Sequence, residues 1–253
     1  MAHDGTGGWR LPSQGPYLGA VRPRRFDHLH GPGELRKTSA RERQRPPPPP
    51  MTRDHLRREM RKLRRSITPK ERSSAARRFA IVADRAHLLR PGARIALYHA
   101  YGHEADVGPL TRRAWRRGCQ VFLPVITHAR AARMEFFRFT PSTALRTNEL
   151  GIAEPDPARA RRIAARHLDI IFMPLVAFDD AGWRLGSGAG FYDRCVRHLR
   201  ASRRWRRPKL IGVAYAQQRI ERLAPSAWDV PMDAVITQGG LRRFQPHLLG
   251  TAP

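Results

Sequence analysis

The chain has 253 residues, enough for one large α/β domain or two small ones, and carries 48 Lys and Arg against 21 Asp and Glu, a formal net charge of +27. That excess points to anionic partners, yet arginine is scattered along nearly every segment and no aromatic-rich recognition motif accompanies it, so a dedicated nucleic-acid role is not expected. No apolar stretch is long enough to span a bilayer, no secretory h-region opens the chain, and Cys119 and Cys195 lack a C-x-x-C spacing, so a membrane role, a zinc site and a disulfide framework are excluded and a reducing cytoplasm is expected.

Residues 1–50 are rich in Gly, Pro, Arg and His without apolar periodicity and end in Pro46 through Pro50, so a disordered extension is expected, with Met51 as an alternative translation start. A folded domain is expected over 51–245, with a tail at 246–253. Leu56, Met60 and Leu63 share one face of a basic helix over 53–66. Thr68-Pro69-Lys70-Glu71 supplies an N-cap, an N1 proline and a Glu at N3 for a second helix to about Leu89. Strands are expected at 93–99, 120–125, 134–139, 168–178, 210–216 and 234–237, and helices at 109–117, 158–166 and 190–202. Alternating strands and helices predict a three-layer α/β/α domain with a mostly parallel central sheet, whose ligands gather at the carboxyl ends of the strands. Asp106 is expected to cap the helix near Pro109, and Asp229 to make a turn.

The most informative segment runs from Arg184 through Leu185, Gly186, Ser187, Gly188, Ala189, Gly190, Phe191, Tyr192 and Asp193 to Arg194. It sets a glycine-rich turn between a very apolar strand and an amphipathic helix, where backbone N–H groups and the helix start favour an anion. Arg184 and Arg194 bracket the turn with cations suited to phosphate oxygens, and Asp193 offers the hard oxygen that Mg²⁺ prefers. An unpartnered carboxylate beside phosphates would be repulsive, so Asp193 is expected to act through a bridging Mg²⁺. The bland alternative makes Asp193 and Arg194 solvated first-turn residues, with Phe191 and Tyr192 packing in the core.

This segment, preceded by Ala177-Phe178-Asp179, together with Gly102-His103-Glu104-Ala105-Asp106, Gly151-Ile152-Ala153-Glu154-Pro155 and Trp228-Asp229-Val230-Pro231-Met232-Asp233, resembles the 5-formyltetrahydrofolate cyclo-ligase family over about residues 53–240. The resemblance implies an enzyme that converts 5-formyltetrahydrofolate, with or without a polyglutamate tail, and ATP to 5,10-methenyltetrahydrofolate, ADP and phosphate, with Mg²⁺. It places ATP contacts on Arg53, Arg57 and the loop Arg184–Tyr192. Folate contacts fall on Tyr101, Glu104, Ser187, Gly188 and Phe191, and metal positions on Asp193 and Asp229. Arg184 and Tyr192 are the catalytic candidates. Tyr101 and Phe191 either flank the flat pterin or pack in the core. A monomer is expected. Two alternatives stay open from the sequence: a binding relative on the same fold without the activity, and a basic RNA-binding protein on this scaffold.

Overall fold

The computed structural model describes residues 52–128, 131–201 and 208–245. The expected extension over 1–50 and the tail from 246 lie outside them. Helix α1 (Arg53–Ser66) is capped by Thr52, whose side chain accepts from the His55 N–H. Helix α2 (Pro69–Arg85) opens with the expected capping box between Thr68 and Glu71 and ends at Arg85, four residues before Leu89. Strands β1 (Arg94–Ala96), β2 (Gln120–His128) and β3 (Arg133–Arg138) follow, with α3 (Gly108–Arg116) between β1 and β2. Then come β4 (Leu145–Thr147), β5 (Ala153–Pro155), β6 (Arg162–Ile163), β7 (Ile170–Pro174), β8 (Ala177–Phe178), β9 (Arg184–Leu185), α4 (Phe191–Ala201), β10 (Lys209–Val213), β11 (Ala234–Thr237) and β12 (Gly240–Arg243).

The main sheet has the order β12-β11-β10-β7-β1-β2-β3-β6. Its central strands are parallel, and its outer pairs β11–β12, β2–β3 and β3–β6 are antiparallel. Alternate residues of each strand serve opposite layers, as the two-residue strand period requires. Ile95, Val121, Phe172, Ile211 and Ile236 join α2 and α3 in one core cluster. Ala96, Phe122, Ile171, Met173, Leu210 and Val235 pack on the other face with Val196 of α4. Each fully buried Ile, Val or Phe contributes about 1.5–3 kcal/mol. The expected α/β/α architecture is therefore present.

Two local expectations are corrected. Residues 158–166 form no α-helix: Asp156 starts a turn by accepting from the Ala158 N–H, and the chain then pairs β6 with β3 before a 3₁₀ turn at Ala165–His167. Pairing at the sheet edge overrides local helix propensity there. The apolar run 168–178 is two strands, not one. Pro174, which has no N–H, closes β7, and β8 leaves the main sheet to pair with β9.

The chain runs from β1 outward to β2 on one side and from β7 outward to β10 and β11 on the other. The reversal between the neighbours β1 and β7 is a topological switch point, which opens a crevice at the carboxyl ends of those strands.

Candidate active site

The exit of β1 supplies the first wall of that crevice. Tyr98 is buried and donates its hydroxyl to the Ala105 carbonyl at 2.8 Å, which fixes the loop 99–106. On that loop Glu104 accepts from the Tyr101 N–H at 3.2 Å, and Tyr215 donates to the Glu104 carbonyl at 3.4 Å. Burial pushes the Glu104 carboxyl up, against the Tyr101 N–H and the Arg64 charge, which favour its ionised form. Tyr101 is 55% exposed, so its ring is free to meet a ligand at the rim. Asp106 bonds the Gly108 N–H at 2.7 Å from one residue before the cap position, Val107.

The exit of β7 supplies the second wall. Asp179 is buried and builds the β8–β9 turn by accepting from Ala181 and Trp183 N–H groups, while its second oxygen accepts from Leu223. The glycine-rich loop follows β9. Gly188 and Gly190 take φ of +127° and +70°, a region that favours glycine, whereas Gly186 does not need it. Arginines from outside and inside the loop hold its carbonyls: Arg57 Nε donates to Gly186, Arg61 to Ser187 and Arg194 to Ala189, each at 3.1 Å. Of these, Arg61 was not anticipated. It lies one helical turn beyond Arg57, and that i, i+4 spacing was its only sequence signal.

Arg184 is 5% exposed, and its guanidinium donates to the Val230 carbonyl at 2.7 Å and to Asp193 Oδ1 at 2.9 Å. The same Asp193 oxygen accepts from the Val230 N–H at 3.0 Å. Asp193 is thus not the unpartnered carboxylate expected from the sequence: a buried cation and a backbone donor already balance it. Asp229 sits one residue before Val230. It accepts from Arg53 at 2.6 Å and from the Ser226 N–H at 2.8 Å, so it makes the expected turn and also anchors the start of α1. Arg53 reaches Ser226 Oγ and the Ala224 carbonyl as well.

A cavity of about 320 Å³ joins these walls. Tyr101, Glu104, Arg184, Gly186, Ser187, Ala189, Gly190, Phe191, Tyr192 and Asp193 line it, whereas Arg53, Arg57, Leu185, Gly188 and Asp229 do not. Burial pushes the Tyr192 phenol well up, so it is a neutral hydroxyl over the working pH range. The β4–β5 hairpin, unassigned from sequence, brings Leu150, Ile152 and Glu154 to the same cavity. Glu154 is buried and stabilises the hairpin by accepting from the Ile126 N–H and the Asn148 amide. The residues Asn148-Glu149-Leu150-Gly151 were the available turn signal. Among the described residues no three His, Cys, Asp or Glu side chains gather as a metal cage.

A switch-point cavity with a glycine-rich loop on one wall and the half-buried Glu104 carboxylate on the other is the ligand-site arrangement of a three-layer α/β enzyme. The model of the 5-formyltetrahydrofolate cyclo-ligase family matches residues 50–238. The chain is 34% identical over 182 residues to the 5-formyltetrahydrofolate cyclo-ligase of Haemophilus influenzae, covering 71% of this chain and 94% of that protein. It is 33% identical to that of Escherichia coli K12, covering 70% and 96%. The NMR structure of Aquifex aeolicus 5,10-methenyltetrahydrofolate synthetase superposes with a TM-score of 0.61 at 28% identity, over 77% of this chain and 94% of that one. The chain belongs to the 5-formyltetrahydrofolate cyclo-ligase family.

Proposed function

We propose the following division of labour for the ATP-dependent cyclisation of 5-formyltetrahydrofolate to 5,10-methenyltetrahydrofolate that this enzyme carries out. Glu104 accepts hydrogen bonds from the pterin N–H and amino groups, with Tyr101 and Phe191 on the ring faces. The loop 184–192 and the start of α4 hold the ATP phosphates, with Arg53 and Arg57 as the counter-charges. The formyl oxygen attacks the γ-phosphorus and displaces ADP, the folate N10 then attacks the activated carbon and gives up its proton, and phosphate leaves. Such chemistry asks the protein for alignment and charge neutralisation. Tyr192, a neutral phenol lining the cavity, donates to an oxygen that gains charge, and Arg184 fixes the geometry of the loop it begins.

Asp193, bound on one oxygen at the edge of the cavity, fits a Mg²⁺ shared with ATP, and Asp229, next to the Val230 whose N–H Asp193 accepts, would join it on release from Arg53, which now holds both its oxygens. Two carboxylates plus substrate phosphates are a usual donor set for that ion. When bound it neutralises phosphate charge. We assign the protein to the cytoplasm as a monomer; its two free thiols, Cys119 and Cys195, suit a reducing compartment. No helix among the described residues is long and apolar enough to cross a membrane.

The observation that carries this reading is the single cavity joining Glu104 to the glycine-rich loop. Purified protein given 5-formyltetrahydrofolate and MgATP is expected to form the methenyl product, followed by its absorbance, only when ATP is present. No product at saturating ATP would overturn it.

A further inference from the structure

The active-site cavity continues past its apolar wall. Met134, at the start of β3, lines it and also lines a second hollow of about 420 Å³ beside α4 and the β3–β6 edge. Helix α4 is seated on β3 at this point, with the Cys195 thiol directed at the Met134 carbonyl 3.8 Å away. Arg194 joins the two spaces as well: it lines the hollow, and its Nη1 donates to the carbonyl of Ala189, a residue that lines the cavity.

Charge sets the hollow apart. Arg133, Arg162, Arg166 and Arg194 line it against one carboxylate, Glu135, which Arg162 holds at 2.8 Å. Arg133, Arg166 and Arg194 are exposed and, among the described residues, have no carboxylate partner. Guanidinium groups left unpaired around one concavity favour an anionic ligand rich in carboxylate or phosphate oxygens. Basic charge alone would not single this hollow out, because another at the amino ends of β1 and β2 holds Arg94, Arg138 and Arg161. That one shares no lining residue with the active-site cavity, whereas the hollow beside α4 does.

The substrate carries matching chemistry. 5-Formyltetrahydrofolate joins its pterin through an aromatic p-aminobenzoyl ring to a glutamate, and each γ-linked glutamate added at that end brings a further carboxylate. With the pterin at Glu104, the apolar wall of Ile126, Met134 and Ile152 suits the ring, and a tail that passes Met134 enters the arginine-lined hollow. We propose that this hollow is a subsite for the γ-glutamyl tail of the folate, with Arg133 and Arg166 as its specificity-determining residues and Arg194 at its mouth. The inference rests on Glu104 as the pterin acceptor.

The test is steady-state kinetics of the full chain with the mono- and triglutamate forms of 5-formyltetrahydrofolate at saturating MgATP, in wild type, Arg133→Gln/Arg166→Gln and Arg77→Gln/Arg116→Gln. The last variant removes the same charge from α2 and α3, which pack on the opposite face of the sheet from α4. In wild type and in that control the KM for the triglutamate is expected to lie about tenfold below that for the monoglutamate, the scale of two exposed ion pairs, and the advantage should shrink with added salt. In Arg133→Gln/Arg166→Gln the two KM values converge, with the KM for ATP unchanged; partial misfolding would lower the active fraction and leave their ratio alone. Should that variant not fold, Arg166→Gln takes its place, with about a threefold loss of the advantage. Equal KM values in wild type, or an advantage that survives loss of the two arginines, overturns the subsite. Convergence in the α2–α3 control makes the advantage an effect of overall charge and overturns it too. Glu104→Gln checks the pterin separately: it should raise both KM values and keep their ratio, and wild-type values there overturn the pterin role of Glu104 and, with it, the route of the tail.

Discussion

Asp84 and Asp193 are both largely buried aspartates held by arginine, and they do opposite things with that partnership. Asp84, near the end of α2, is surrounded: Arg117 reaches both its oxygens at 2.7 and 2.8 Å, and Arg113 adds two bonds to Oδ2 at 2.8 and 2.5 Å. That fork clamps α2 to α3 with none of its residues lining the cavity, and holds the carboxyl at about 2. Asp193 engages Arg184 and the Val230 N–H through one oxygen, Oδ1, at the edge of the cavity. A carboxylate saturated on both oxygens is a fastening. One bound on a single side, beside the glycine-rich loop proposed to hold phosphates, is oriented for a further partner.

The largest effect is expected where that contrast is broken at Asp193. Asp193→Asn should cut turnover by at least about 100-fold, the usual scale for losing an electrostatic contact to reacting phosphates, with a raised Mg²⁺ requirement. It should also destabilise the ligand-free protein by about 3 kcal/mol, because Arg184 is left buried without its counter-charge. Turnover against Mg²⁺ and denaturant unfolding of the apo protein read the two parts. A destabilised but fully active variant would make Asp193 a second Asp84. Arg53→Ala comes next: it frees Asp229 from its 2.6 Å partner, and the KM for ATP is expected to rise about tenfold with the folate KM unchanged.

Asp84→Asn should do the reverse, lowering stability by about 1–2 kcal/mol while leaving kcat and both KM values at wild type. Its pH signature follows from the Arg117 and Arg113 bonds, which depress the folded carboxyl from an ordinary 3.8 to about 2. A depressed carboxylate adds stability above its unfolded value and loses it as pH falls toward the folded one. Unfolding midpoints should therefore drop between about pH 5 and 2 in the wild type and less steeply in Asp84→Asn. The smallest effect is expected from deleting Met1–Pro50. Both carboxylate sites lie within the described residues, so melting temperature and turnover should stay near those of the full chain, and aggregation or inactivity of the truncated protein would show that the segment packs on the domain.

What could be read in the sequence was whatever sits close along the chain. The Thr68–Glu71 capping box spans three residues, and the glycine-rich loop is contiguous with the strand and helix that frame it. The alternating sides of Ile95 and Ala96, or Ile171 and Phe172, followed from strand periodicity. By contrast, the fork on Asp84 joins residues 29 and 33 positions apart, and the Leu175 carbonyl accepts from Arg64 and from Gln218, 111 and 43 positions away. Such partners have no local pattern to announce them. The failed helix at 158–166 has the same origin, because the pairing of Ile163 with Phe136 is decided by the sheet edge. Arg184 shows the limit most sharply. Its place in the loop was legible, but its burial against Val230 depends on a turn 46 residues further on.

The grip of α1 on the loop carbonyls also sets when the site can exist during folding. Arg57 and Arg61 come early in the chain, yet their acceptors Gly186 and Ser187 lie 129 and 126 residues later, and the partner of Arg53, Asp229, 176 later. Closing so long a span is entropically costly and slow compared with local helix and hairpin formation. On a ribosome the first helix emerges well before anything it can dock on: Arg57 and Arg61 wait for the loop carbonyls at 186 and 187, and Arg53 waits for the 224–230 turn. The docking of α1 is thus completed late, and a nascent chain has both of its anchors only when nearly all of the folded region is in place.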